Sequence, residues 1–238
     1  MTQNRKNAIT LGIFYIIAAV SSVIAVILYN PIMTEQWHLA VSDGFRNKIL
    51  WGVINDLLLL LTAVGTAVML YPYIRHLGRH KALAYFTFRF MEAVFIGIGL
   101  LSILVLVYLS DAYAAVNLND ADGLKGLGTA FQGIHRWVMI LGPNFMLGVN
   151  TLLYSTLLSR SGLVPKLLAQ FGMLAAISVF ISGLLDMFSI IEPWSALKGL
   201  ISLPVGVFEI SLAFYLIIKG FRKEGLVKAG SQIDLDEG

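Results

Sequence analysis

The sequence predicts an all-α polytopic membrane helix bundle: six transmembrane helices with the N- and C-termini cytoplasmic. Three observations predict it. Hydrophobic residues make up 58% of the 238 residues and charged residues 13%, about half the charge of an ordinary soluble domain. Six runs are each long and apolar enough to cross a bilayer, which takes about 20 residues. Lys and Arg are distributed unequally between alternate loops, the signature that orients membrane proteins.

The spans follow in order. The first is Ala8–Tyr29. A cleaved signal has an apolar core of roughly 7–15 residues. This run is longer and leads into Asn30-Pro31 rather than a small-residue cleavage site, so it reads as a retained helix. The second is Ile49–Tyr71 and the third Ala82–Ser110, which is long enough to tilt or to project from the bilayer. The fourth is Ile134–Leu158, the fifth Leu167–Ile190 and the sixth Leu200–Ile218. Pro143 and Pro204 fall inside spans four and six and predict kinks. Residues 1–219 form one transmembrane domain on this reading, and 220–238 a short, polar, disordered cytoplasmic tail.

Orientation comes from the loops. One side carries Arg5, Lys6, Arg75, Arg79, Lys81, Arg160, Lys166, Lys219, Arg222, Lys223 and Lys228; the other carries Arg46, Lys48, Lys125 and Lys198. The first side is the cytoplasmic one. The outer loops are 30–48 and 111–133, the second with an Asn-Asp-Ala-Asp-Gly run that suits a turn. Trp51, Trp137 and Trp194 fall at outer span ends, as an aromatic belt requires, and Trp37 lies in the first outer loop. Small residues four apart at Ala18/Ser22, Gly172/Ala176 and Ser178/Ser182 would let helices approach closely.

The chain has no cysteine, which excludes disulfides, thiolate catalysis and zinc–thiolate sites. The net charge of +3 belongs to cytoplasmic loops and does not indicate nucleic acid. His76 and His80 stand four apart, but Arg75, Arg79 and Lys81 surround them and disfavour a cation. Only His135 lies near a span, so a bis-histidine haem is not expected. No zincin, nucleophile-elbow or phosphate-loop motif occurs. No catalytic residue, metal site or cofactor is predicted, and an enzyme is the least supported reading.

The informative residues are ionisable groups inside spans. A charge at a helix centre costs about 2.5–3.5 kcal/mol on insertion scales, so such groups face other helices or water. At 1.5 Å per residue, Glu92 and Glu209 each lie roughly 15 Å from the cytoplasmic edge. Arg89 is one turn shallower than Glu92 on the same face, and Tyr85 one turn further. Asn144 reaches a similar depth from span four. Arg89, Glu92 and Glu209 form an expected inner cluster, with Tyr85 and Asn144 as further candidates beside it. Asp56 of span two, Asp186 of span five, and His135 and Arg136 of span four form an expected outer one. Two readings stay open. The clusters are ion pairs that lock helices together, or they bind a proton, cation or small molecule, since an uncompensated buried carboxylate gains a proton or a cation. The alternative for the whole chain is a non-catalytic accessory or sensor protein that binds a partner helix or lipid. Beyond the lipid bilayer, a small-molecule or ion ligand is the partner the interior would admit; the oligomeric state is not readable.

One ordered series carries a family likeness: Tyr71-Pro72, Arg89-Phe-Met-Glu92, Leu163-Val164-Pro165, and Pro204 to Glu209 leading to Lys219-Gly220-Phe221. It resembles an uncharacterised bacterial membrane family, domain of unknown function 4386. The resemblance implies a six-helix protein of the bacterial cytoplasmic (inner) membrane without an assigned activity. It supplies no catalytic residues. It places Arg89, Glu92 and Glu209 among the positions that give the family its look.

Overall fold

In lipid every backbone N–H and C=O must be paired within its own segment, so an apolar run becomes a continuous helix. The computed structural model describes the chain except residues 34–35, 42–43, 117–120, 194, 229 and 231–238. Helix α1 covers Gln3–Tyr29, α2 Arg46–Ile74 and α3 Arg79–Ala115. Then α4 (Ala121–Ile140), a π-helical segment (Leu141–Met146) and α5 (Leu147–Ser161) run on as one rod of 41 residues. Helix α6 covers Lys166–Met187, α7 Ala196–Ile218 and the short α8 Lys223–Lys228. Six of these rods are long and apolar enough to span a membrane, and the described residues contain no strand.

The helix ends are set by local chemistry. Thr2 caps α1 by accepting from the Arg5 amide, and Ser195 caps α7 by accepting from Lys198. Gly162, at φ +71°, ends α5 in the left-handed conformation that glycine adopts without strain. Gly220, at φ +74°, turns the chain sharply after α7.

The spans form a closed ring in chain order: α1 packs on α2, α2 on α3, α3 on the α4–α5 rod, α5 on α6, α6 on α7, and α7 back on α1. The last contact is tied by Arg5, whose guanidinium donates to the carbonyls of Leu216 (3.0 Å), Ile217 (2.5 Å) and Ile218 (3.2 Å). These carbonyls lie at the C-terminal, negative end of α7, where helical partners run out; that of Leu216 also accepts from the Gly220 amide. The start of α1 and the end of α7 therefore lie on one side of the ring, called here the terminal face; the other side is the far face. The larger apolar core lies toward the terminal face around Tyr15, Tyr154 and Phe208. A smaller one lies toward the far face around Trp37, Ile49 and Ile103.

Several expectations are corrected. The loop 111–133 is mostly helix, because α3 runs to Ala115 and α4 starts at Ala121. Asn119 and Asp120 of the expected turn lie outside the described residues, and Ala121, Asp122 and Gly123 open α4. Trp37 holds that extra helix down. Its ring lies so close to Gly128 that a Cβ there would sit 1.8 Å from Cζ2. The tail from Gly220 is not simply disordered. The Arg222 amide donates to the Leu163 carbonyl at 2.9 Å. Gly225 is seated where a Cβ would be 2.4 Å from the Leu163 nitrogen. Phe221 packs on Tyr73, ring centres 4.4 Å apart.

Pro72 lies inside α2 rather than at its end, and α7 stays helical through Pro204. Pro143 does break the α pattern, since the π-helical segment encloses it. Of the small-residue pairs, Ser22 of the first is exposed and bonds its own helix. The other two serve contacts of α6: Gly172 lies under Phe208, Ser178 donates to the Ile201 carbonyl, and Ser202 donates to Ser182 at 2.9 Å. Trp51 and Trp137 are exposed on the outside of the ring, while Trp194 lies outside the described residues.

Candidate functional site

The closed ring gives a long cation in its middle one direction to point, which is inward. Arg89 of α3 is 2% exposed. Its Nη1 donates to Glu92 at 3.0 Å, one turn along the same helix. Its Nε donates to Thr66 of α2 at 3.2 Å, and Thr66 in turn donates to the Ala63 carbonyl. Its Nη2 faces Glu209 Oε1 of α7 at 3.7 Å, close enough for an ion pair but too long for a hydrogen bond. Asn150 of α5 donates to Glu92 Oε2 at 2.7 Å. The inner cluster thus brings Arg89, Glu92 and Glu209 together as expected.

Asn144 does not join them. It sits in the π-helical segment against Gly183 of α6, where a Cβ would be 2.7 Å from the Asn144 Cβ. Asn150, six residues on, supplies the amide instead. Reasoning by depth placed Asn144 on a regular rod. A π turn carries an extra residue and shifts the helix phase by about 100°. That Pro143 disturbs the rod was readable; which way the rod turns was not.

Around Glu209 stands a layer the sequence reading largely missed. Tyr85 belongs to it, with Tyr15 of α1 and Tyr154 of α5, all fully buried. Ring centres of Tyr85 and Tyr154 are 5.2 Å apart, and those of Tyr15 and Tyr154 6.1 Å. The three hydroxyls lie within electrostatic reach of Glu209 and Arg89. Yet Tyr15 Oη, Tyr85 Oη, Tyr154 Oη, Ser155 Oγ and Glu209 Oε1 are all buried without a hydrogen-bond partner. Each such group costs about 1–3 kcal/mol when left unpaired. Tyr15 and Tyr154 each stand one polar atom on an otherwise apolar stripe, so sequence periodicity gives them to the core.

The expected outer cluster divides. Asp186, 1% exposed, is clamped between Arg136 of α4 at 3.2 Å and Lys198 of α7. Lys198 was counted only as a loop charge. These groups border a cleft of about 370 Å³ at the far face, lined also by Thr129, Gln132 and His135. Asp56 lies elsewhere, on α2, facing Tyr29 of α1. His135 donates from Nδ1 to the Gly99 carbonyl at 3.1 Å and packs edge-on against Tyr29. Depth along a rod gives height, not position around the ring, and that is why one expected cluster is two.

No three His, Asp or Glu side chains converge as metal ligands among the described residues. His76 and His80 stand in separate helical segments on either side of Gly78.

A ring of six membrane-length helices closed around ionisable side chains defines the class: a multi-pass membrane protein with a polar interior. Residues 10–220 match the family described as Domain of unknown function (DUF4386). The chain belongs to that family, which is uncharacterised. No curated protein and no solved structure matches it.

Proposed function

We propose that this protein binds, and moves across the membrane, a proton or small monovalent cation at the Arg89–Glu92–Glu209 centre. The carrying observation is that Glu209 Oε1 and the buried Tyr15, Tyr85 and Tyr154 hydroxyls within its electrostatic reach make no close hydrogen bond within the protein. Two carboxylates against one guanidinium leave one negative charge there. Hydroxyl and carboxylate oxygens are the ligands that hydronium and hard cations take. Buried ionisable groups in membrane helices mark ion pathways. A pure helix lock would pair its members fully; this centre pairs Glu92 and leaves Glu209 half engaged.

The test is flux in sealed vesicles containing the purified protein, read with an internal pH dye and in parallel with a sodium-sensitive dye. Glu209→Gln is expected to lower the rate at least tenfold, about 1.4 kcal/mol of barrier, while the thermal midpoint in detergent stays within a few degrees. An unchanged rate in Glu209→Gln would sink the reading.

One observation favours the second reading, an accessory or sensor protein. An apolar groove of about 240 Å³ lies on the outer surface between α5 and α6, lined by Gly148, Leu152, Ala176 and Phe180 among others. A lipid chain or a partner helix would fit it. Absence of flux together with a stable co-purifying helix or lipid would select that reading.

The excess of Lys and Arg on the terminal face supports placing that face in the cytoplasm of a bacterial inner membrane. The cysteine-free chain makes this simple to check. A membrane-impermeant thiol reagent on intact cells is expected to label Lys125→Cys and spare Lys228→Cys; the reverse pattern would invert the orientation.

A further inference from the structure

The far half of the ring holds a second buried acid that the Arg89 centre does not use. Asp56 is 2% exposed, and its Oδ1 has no hydrogen-bond partner. No Lys or Arg among the described residues stands within ion-pair distance of it; Arg136 and Lys198 are both spent on Asp186. Tyr29, 4% exposed, turns its hydroxyl toward Asp56, near enough to interact with the carboxylate but without a close hydrogen bond.

The surroundings are built for this meeting. Gly52 stands one turn before Asp56, and a Cβ there would lie 2.6 Å from Tyr29 Cε1. The missing side chain lets the tyrosine ring lie flat across α2. Gly99 does the same for His135: a Cβ at 99 would lie 2.4 Å from Met139 Cε and 3.4 Å from the His135 Nδ1. His135 then packs at 84° against Tyr29, ring centres 5.9 Å apart. A carbonyl only accepts, so the Nδ1 bonded to Gly99 carries the proton, and Nε2 is left as a bare acceptor. His135 also borders the far-face cleft. It touches Tyr29 on one side and the polar far-face cleft on the other.

From this geometry we propose that Asp56 is a second, separate proton-binding site, which exchanges with the far-face cleft past His135 and Tyr29. An ionised carboxylate held in an apolar interior with no cation and a single tyrosine hydroxyl facing it is strongly disfavoured, and one proton relieves it. The titratable groups that face it are Tyr29 from α1 and, behind that ring, His135 from α4, which is held by the Gly99 carbonyl of α3. On protonation Asp56 becomes a neutral carboxylic acid, and the proton comes from cleft water. On release the proton returns there. His135 acts as a positioning residue that controls access. The site does not depend on the Arg89 centre being a transport site.

The experiment uses the full chain in vesicles and dicyclohexylcarbodiimide, an apolar reagent that modifies protonated buried carboxyls, with peptide mass spectrometry. Asp56 is expected to be modified, with the extent falling roughly tenfold per pH unit once the group ionises. Asp186, held by two cations, is expected to stay unmodified. Infrared difference spectra across the same pH range should show a protonated-carboxyl band that Asp56→Asn removes and Glu209→Gln keeps. His135→Phe should slow the appearance of that band after a pH jump without abolishing it. An Asp56 that is never modified, or is modified equally at every pH, overturns the proposal. The labelling uses unsubstituted protein, so it decides even if Asp56→Asn does not fold.

Discussion

The two halves of the ring treat buried charge in opposite ways. Toward the terminal face, one arginine gathers acids from α3 and α7, a hydroxyl from α2 and, through Glu92, an amide from α5. Toward the far face, Asp56 and Asp186 stand apart, one with no cation and one with two. The first arrangement is shared across helices and hidden from solvent. The second leans on a cleft where Arg136 is 42% exposed. A buried charge is tolerated by sharing in one place and by access to water in the other. Stability should therefore hang on the terminal half, and exchange with solvent on the far half.

The sharpest way to break that contrast is Arg89→Leu. Removing one member of a buried ion group typically costs about 3–5 kcal/mol, and here two acids lose their partner. Thermal unfolding in detergent should show a large drop, with much of it recovered by adding Glu92→Gln. A small loss would mean the centre carries little of the fold. The far half predicts something milder. Arg136→Gln should cost about 1 kcal/mol or less, because that side chain is partly exposed and Lys198 still holds Asp186. Lys198→Gln should cost somewhat more, because that side chain is only 20% exposed, while Arg136 still holds Asp186. The two together should cost more than their sum, since only then is Asp186 left bare. Strict additivity of the two midpoint shifts would show that Asp186 does not depend on both.

The smallest effect lies in the far-face cap. His38 has its proton affinity lowered from the ordinary 6.5, by burial first and by the Lys125 charge second. The folded state thus prefers the neutral ring. Its contribution is complete above pH 6.5 and declines as pH falls below it, where the unfolded chain takes up the proton first. Hydrogen exchange at residues 37–41 should quicken slightly in that acidic window, and His38→Gln should flatten the dependence. A pH-independent rate in the unsubstituted protein would remove His38 from the account.

Much of this was legible from residue order alone. The six spans follow from the length of the apolar runs, and the Arg89–Glu92–Glu209 meeting from the cost of placing charge in lipid. The same rule could not say that Asp56 and Asp186 part company, because it fixes how deep a group lies and not which neighbour it faces. Asn150 escaped notice because a π turn rephased its helix. The tyrosines escaped because each carries a single polar atom on an apolar ring. Helix α4 was lost to a loop because its first turns are glycine-rich, and what orders that stretch is packing from elsewhere in the chain: Trp37 wedged beneath Gly128, and Leu124 and Phe131 on the far-face core.

The Arg5 clamp has a consequence for how such a ring is made. Arg5 is made more than 200 residues before the carbonyls it holds, at Leu216 to Ile218. The join between α1 and α7 therefore cannot form until α7 has been made, and until then the ring is an open arc. Closure is a single event that reports that α7 has arrived. A chain stopped before Leu216 would keep every earlier helix and still present an unsealed flank, the kind of surface that membrane quality control is able to recognise.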